Sequence, residues 1–277
     1  MTQVKRRPLA AHNQIERYYQ KWGWIYPLLW GETIHWGLFK TGLEPLSIAT
    51  KQWTERTAQL LHPTAGQKVL EIGCGPAVTS HHLIEKYNVS VDAIDVSEVQ
   101  LARAKVTNPD FLRDARLHLI KGDIARTTLQ PHTYNGAVSE AVFFHLKEKQ
   151  KGFENIRKAL QPGARFVFDD LILKSPINKC DLAVAFGRFG MLKFVSQSSY
   201  SRMLRRAGFR IIEIVSATDD VARTYQRLLD NLENQHNKRN SPFSKQKFLN
   251  LRNSFRTIIQ LIWDGKLSAK VFVAIAV

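Results

Sequence analysis

The chain has 277 residues, enough for one large domain or one domain with an added cap. It is 44% hydrophobic and 23% charged, the composition of a globular protein, and no apolar run approaches the roughly 18 residues that cross a bilayer. Met1 to Arg7 are polar and basic with no apolar signal segment behind them, which predicts a cytoplasmic protein. Cys74 and Cys180 provide neither a disulfide framework nor metal-ligand spacing, so no metal is expected. The net charge of +16 admits nucleic acid or anionic partners as well as a solvated surface. Ten Lys or Arg against three acids lie from Val221 onward, at helical spacing (Arg223 and Arg227; Arg252 and Arg256).

In chain order, residues 1–10 read as a loose tail and Ala11 to Leu29 as a helix, which the glycines of Trp30–Phe39 end. Eight aromatics fall between Tyr18 and Phe39. Such a stripe packs in a core or covers a ligand pocket, and a covering helix does both. Leu46–Leu61 is a second helix. Strands and helices then alternate: strand Lys68–Gly73, helix Val78–Tyr87, strand Val89–Val96, helix Ser97–Val106, strand Arg116–Lys121, strand Tyr134–Ser139 and a helix near Lys149–Leu160. After a turn at Gln161-Pro162-Gly163 come strand Arg165–Leu173, helix Tyr200–Ala207 closed by Gly208, and strand Arg210–Val215. Two helical stretches near 219–235 and 242–263 precede the last strand, Ala269–Ala276. This alternation predicts an α/β fold with a mainly parallel sheet and helices on both faces. One domain is expected: a helical cap over 1–62, a cofactor-binding core over 63–215, and over 216–277 an acceptor-side helical addition with the last strand.

Ligands of open parallel sheets bind at the carboxyl ends of the strands. The first strand delivers Glu71 and a tight turn through Gly73, Cys74 and Gly75, where a backbone without Cβ atoms lets a ligand approach. The second ends in Asp95, 22 residues after Gly73, placed to accept ribose hydroxyls or to cap a helix. The third is followed by Gly122-Asp123-Ile124, where Asp123 meets an adenine amino group or closes an Asx turn. Val78 stands where a dinucleotide fingerprint needs its third glycine, and no Gly-Lys-Ser/Thr follows the turn, so NAD and nucleoside triphosphates are disfavoured.

Val69-Leu70-Glu71-Ile72-Gly73-Cys74-Gly75, Asp95 with Ser97-Glu98, Gly122-Asp123, Leu160-Gln161-Pro162-Gly163 and Arg206-Ala207-Gly208-Phe209 together resemble the seven-stranded, Rossmann-like (class I) S-adenosylmethionine-dependent methyltransferases. The resemblance covers about residues 15–215. Ala77 departs from it at the third glycine of the turn, and Ala164 at the glycine after Gly163. It implies S-adenosyl-L-methionine as cofactor, held by Tyr19, Glu71, Gly73, Cys74, Gly75, Asp95, Val96, Asp123, Ile124 and Ser139. Tyr19 would lie at the cofactor's carboxylate end, Asp95 on the ribose, and Asp123 and Ile124 at the adenine. Trp30-Gly31-Glu32-Thr33-Ile34-His35-Trp36-Gly37 is similar to the segment before the core in the sterol, tocopherol, sarcosine and glycoside methyltransferases and the cyclopropane-fatty-acid synthases, where it folds over the cofactor. Residues 174–265 would complete the acceptor pocket.

Methyl transfer from a sulfonium is an in-line displacement that needs the acceptor held close and water excluded. An oxygen acceptor also needs a base, a neutral amine none, and an alkene carbon a stabilised cation. His145, in the Ser139–Leu146 stretch after the fourth strand, is the first candidate base; a hydrogen-bonded packing histidine is the alternative. Glu140 would orient acceptor or cofactor. Asp169 and Asp170 offer a second carboxylate source, and His35 is a third candidate. The expected partner is a small-molecule acceptor, aromatic, terpenoid or anionic and typical of secondary metabolism, with a homodimer left open. Nucleic acid is disfavoured, because Ser-Glu-Ala-Val follows the fourth strand in place of Asn/Asp-Pro-Pro-aromatic, and no cysteine after a proline serves as a nucleophile. A non-catalytic cofactor-binding protein is the other alternative.

Overall fold

A computed structural model describes residues 12–187 and 193–277. The tail expected over residues 1–10 lies outside the described residues. A seven-stranded sheet forms the centre: β1 (Lys68–Ile72), β2 (Ser90–Asp95), β3 (Leu117–Lys121), β4 (Tyr134–Glu140), β5 (Leu160–Leu173), β6 (Phe209–Ser216) and β7 (Leu267–Ala276). Their order is β3-β2-β1-β4-β5-β7-β6. All pairings are parallel except those of β7, which runs antiparallel between β5 and β6. The chain steps outward from β1 through β2 to β3, then returns to lay β4 on the other side of β1. The loops that leave β1 and β4 therefore diverge, and a crevice opens at their carboxyl ends.

Strand alternation divides the core between the two faces of this sheet. Val69, Val91, Val138, Val167 and Val273 enter one hydrophobic cluster, whereas Leu70, Ile94, Ala137, Phe166, Phe168 and Phe272 enter the other. Helices α3 (Leu46–Leu61), α4 (Val78–Tyr87), α5 (Glu98–Thr107), α10 (Thr218–His236) and α11 (Lys245–Trp263) contribute to the first. Helices α7 (Lys149–Ala159) and α9 (Gln197–Arg206) close the second over a stack of aromatic rings. Phe168 there lies parallel to Phe272 with centroids 4.8 Å apart.

The helix expected over 11–29 is broken. It divides into α1 (His12–Trp22), a 3-10 turn (Gly23–Ile25) and α2 (Tyr26–Leu29). Pro27 has no N–H to give the Gly23 carbonyl, and the Tyr26 amide takes that carbonyl in 3-10 fashion. The aromatics of this cap mostly pack against protein. Tyr26 meets Trp30, Trp30 meets Phe255 of α11, and Trp36 meets Trp53 of α3 edge to face. Two short helices, α6 (Pro109–Arg113) and α8 (Lys179–Phe186), carry too few residues for a periodic signal and were not expected. The expected turn at Gln161-Pro162-Gly163 lies inside β5. The register with β4 shifts there, and Gly163 takes the left-handed conformation at φ +82°.

Ala77, at the start of α4, occupies the left-handed region with φ +59°. That costs a residue with a Cβ about 1–2 kcal/mol, partly offset by the lower unfolded-state entropy of alanine. Ala77→Gly is expected to leave stability unchanged or raise it by up to about 1 kcal/mol in urea unfolding. A loss beyond 1 kcal/mol would show that the alanine methyl packs productively there.

Candidate active site

The crevice at the ends of β1, β2 and β4 holds a cavity of about 490 Å³. Strand geometry explains its walls. Each parallel strand ends in a residue pointing up into the loops, so β1 gives Ile72 and Gly73, β2 gives Ile94, Asp95 and Val96, and β4 gives Glu140. The loop after β3 adds Asp123, Ile124 and Arg126, the loop after β4 adds His145 and Leu146, and the cap closes the top with Ile15, Tyr19 and Ile34.

Asp95 is buried and ties the turn together. Its Oδ2 accepts the Gly75 amide at 2.9 Å and its Oδ1 the Ser97 amide at 2.8 Å. Each oxygen keeps a second lone pair, the arrangement a vicinal diol needs. Burial raises the Asp95 pKa, opposed by the amides of Ser97, Gly75 and Val96. Asp123 closes an Asx turn on the Ala125 amide at 2.9 Å and stands 3.8 Å from the Arg126 guanidinium. Ile94, Val96, Ile124 and Leu146 supply flat apolar walls beside these acids, suited to a planar base.

Six of the ten expected cofactor residues line this cavity: Tyr19, Gly73, Asp95, Val96, Asp123 and Ile124. Burial pushes the Tyr19 phenol well up, with the neighbouring Tyr18 and Asp95 adding to the shift. Glu71 and Cys74 line instead a small adjoining space with Thr33, His35 and Thr79. The Glu71 carboxyl bonds the Ser80 hydroxyl and is pushed up to about 8 by desolvation. The Cys74 thiol is raised by the same cause. Gly75 acts from behind through its amide, with Ile34 lying over it. Ser139 lines neither space. Its fully buried hydroxyl donates to the Ile72 carbonyl at 3.0 Å, across the β1–β4 pair.

Glu140 reaches both spaces. Thr57 donates to its Oε1 at 2.8 Å and Thr79 to its Oε2 at 2.5 Å. His35 stands behind, with Nε2 3.9 Å from Glu140 Oε2 and 3.1 Å from the Thr54 hydroxyl, and with Nδ1 2.9 Å from the Trp36 carbonyl. Only a protonated Nδ1 satisfies that carbonyl, so in the neutral ring Nε2 accepts. His145 also lines the cavity, its ring 4.2 Å from that of Phe144. Burial, then the Lys149 ammonium, lowers its pKa to about 3, which makes it a weak base.

Asp169 and Asp170 alternate to opposite faces of the sheet. Asp169 takes the Trp53 indole N–H at 3.2 Å and the Ala141 amide at 2.8 Å. Asp170, fully buried, takes the Tyr200 hydroxyl and the Leu171 amide, and it does not line the cavity. Its place as a candidate catalytic carboxylate is therefore corrected: it points into the aromatic core, where desolvation pushes it up to about 7. None of the described residues among 174–265 lines the cavity, contrary to the expectation that this segment completes it. Sequence reasoning missed the threonines that hold Glu140, because hydroxyl residues on α3 and α4 carry no pattern of their own. Ile34, within the segment singled out before the core, could have been found there.

Residues 69–163 match the family described as the methyltransferase domain. The chain is 22% identical over 214 residues to the (+)-O-methylkolavelool synthase of Herpetosiphon aurantiacus, covering 76% of each. In fold it is similar to the cyclopropane synthase MmaA2 of Mycobacterium tuberculosis, with a TM-score of 0.88, 15% identity, and coverage of 97% of this chain and 100% of that one. It is also similar to the geranyl diphosphate C-methyltransferase of Streptomyces coelicolor A3(2), solved with Mg2+, geranyl diphosphate and S-adenosyl-L-homocysteine, at a TM-score of 0.75, 13% identity, and coverage of 98% and 100%. The chain carries a methyltransferase domain in the seven-stranded fold of the class I S-adenosylmethionine-dependent methyltransferases. The donor set of its cavity fits that cofactor: a carboxylate for a diol, an acid and apolar walls for a base, and a buried Thr33 hydroxyl without a partner in the adjoining space. No helix among the described residues is long and apolar enough to cross a membrane.

The methyltransferase stores electrostatic cost in its buried acids. The pKa of Glu71, about 8, exceeds its unfolded value near 4.3, so folding takes up a proton between those limits. The favourable contribution is complete below the unfolded pKa and is lost as pH rises through 8. Glu71→Gln is therefore expected to gain melting temperature relative to the parent between pH 5 and 8, by at least the ~2 °C that corresponds to about 1 kcal/mol. A pH-independent difference would refute this account of Glu71.

Proposed function

We propose that the methyltransferase transfers the methyl group of S-adenosylmethionine to a hydroxyl oxygen of a small, largely apolar acceptor of the kind found in secondary metabolism. The observation that carries this reading is Glu140, a carboxylate that reaches the cavity while two threonine hydroxyls fix its orientation. When bound, S-adenosylmethionine supplies an electrophilic methyl group on a sulfonium.

In this reading Asp95 holds the ribose, Asp123 and Ile124 the adenine, and Gly73 passes beneath the methionine part. Glu140 accepts the hydroxyl proton as the oxygen attacks. Because Thr57 and Thr79 hold one hydrogen bond on each oxygen, the carboxylate does not have to reorganise to do so. His35, with Nε2 turned toward Glu140, stands as a second proton acceptor behind it. His145 packs as a neutral wall. Buried acids at the inner end disfavour an anionic acceptor, since Glu71 and Asp169 lie close enough to Glu140 to feel its charge. Among the described residues no group of His, Cys, Asp and Glu gathers to hold a metal for a diphosphate. The name of the O-methylkolavelool synthase supports oxygen as the acceptor atom.

The test uses methyl-labelled S-adenosylmethionine with panels of hydroxylated terpenoids and phenols, sarcosine, and bulk RNA. Label is expected in the hydroxylated panel and not in RNA; label confined to RNA or sarcosine would overturn the reading. Once an acceptor is in hand, Glu140→Gln is expected to lower kcat at least ~100-fold, the scale of lost general base catalysis. Its cofactor affinity should stay within a few-fold. His145→Gln should keep kcat within about threefold, and the reverse pattern would restore His145 as the base.

A further inference from the structure

Helix α8 is short, apolar and turned outward. Leu182 and Val184 are 36% and 42% exposed, and Trp24 of the cap is 38% exposed. Ala183 and Val184 border a groove of about 290 Å³ whose other walls are Trp22, Leu251 and the polar Asn250, Asn253 and Ser254. Two lysines border this face, and the stretch that carries α11 is basic. Residues 238–263, which include α11, carry six Lys or Arg and no Asp or Glu. Lys247 stands 5.2 Å from the Trp24 ring and Lys21 5.6 Å from the Trp22 ring. Long basic side chains beside exposed tryptophan and aliphatic groups make a surface suited to the boundary between lipid headgroups and acyl chains.

A line of rings joins this face to the active site. Phe186 of α8 lies 4.8 Å from Phe194, Phe194 lies 6.1 Å from Phe144, and Phe144 lies 4.2 Å from His145 in the cavity wall. The Lys193 amide donates to the Phe144 carbonyl at 2.9 Å, fixing Lys193 and Phe194 against the site. We propose that the α8–α11 face docks on an anionic lipid surface, so that a lipophilic acceptor reaches the cavity from the membrane side. Charge selects this occupant. The six cations of residues 238–263 outweigh the one carboxylate of α8, Asp181, and so attract anionic headgroups and repel a second copy presenting the same face. The acceptor clause rests on the apolar acceptor proposed above; the docking itself does not.

The experiment is co-sedimentation of the full chain with vesicles of phosphatidylcholine alone or mixed equally with phosphatidylglycerol. Binding to the mixed vesicles is expected at low salt, at least tenfold weaker to phosphatidylcholine, and lost at about 0.5 M salt as the charges are screened. Leu182→Asp with Val184→Asp is expected to weaken it at least tenfold, with melting temperature and cofactor affinity unchanged. Should that variant not fold, Lys247→Glu with Arg256→Glu is expected to reduce binding to the mixed vesicles by a similar factor. No binding to the mixed vesicles, or binding that neither pair of substitutions alters, would overturn the proposal. So would light scattering in which the Asp pair converts a dimer to a monomer, since a second copy would then own the face. Label transfer to a water-soluble hydroxylated acceptor without vesicles is expected to be the same in parent and variants. Its loss in all of them would count against the proposed reaction and leave the docking result standing.

Discussion

The carboxylate of Asp95 is the contact on which the site depends. With one amide of the glycine turn on one oxygen and the amide of Ser97, the N-cap of α5, on the other, it fixes the end of β2 against the turn after β1. Without it, the turn and the N-terminus of α5 would have separate anchors, and the crevice between the diverging loops would have no fixed floor. The carboxylate is buried for the same reason, and burial disfavours its charge. The amides of Ser97, Gly75 and Val96 offset that cost, and in the proposed reading this one group serves architecture and cofactor recognition together.

The same compromise recurs deeper in the sheet. Glu71, Asp169 and Asp170 are all buried near the site, each with hydrogen-bond donors and each with its pKa raised by desolvation. Ala141, at φ +56°, is held in the left-handed region where its amide meets Asp169.

Most of the fold was legible because its signals are local. Strand alternation, the glycine turn and the acids at strand ends are written within a few residues of one another. Gly73, Asp95 and Asp123 come together at the cavity because strand ends in a parallel sheet converge whatever the rest of the chain does. Ser139 and Asp170 were misplaced because strand parity decides which side a residue faces, and one residue of uncertainty moves a side chain to the opposite face. The Thr57–Glu140–Thr79 clasp was not legible at all, because it joins three elements across 61 and 83 residues of sequence. The aromatic cap was legible as packing, and of its eight rings only Tyr19 reaches the cavity.

The most direct measurement of the central claim is calorimetric binding of S-adenosylmethionine to Asp95→Ala. A melting curve should first establish that the variant is folded. The account predicts at least tenfold weaker affinity, the loss of about 1.4 kcal/mol or more that removing a charged hydrogen-bond acceptor brings. Equal affinity in a folded variant would contradict it.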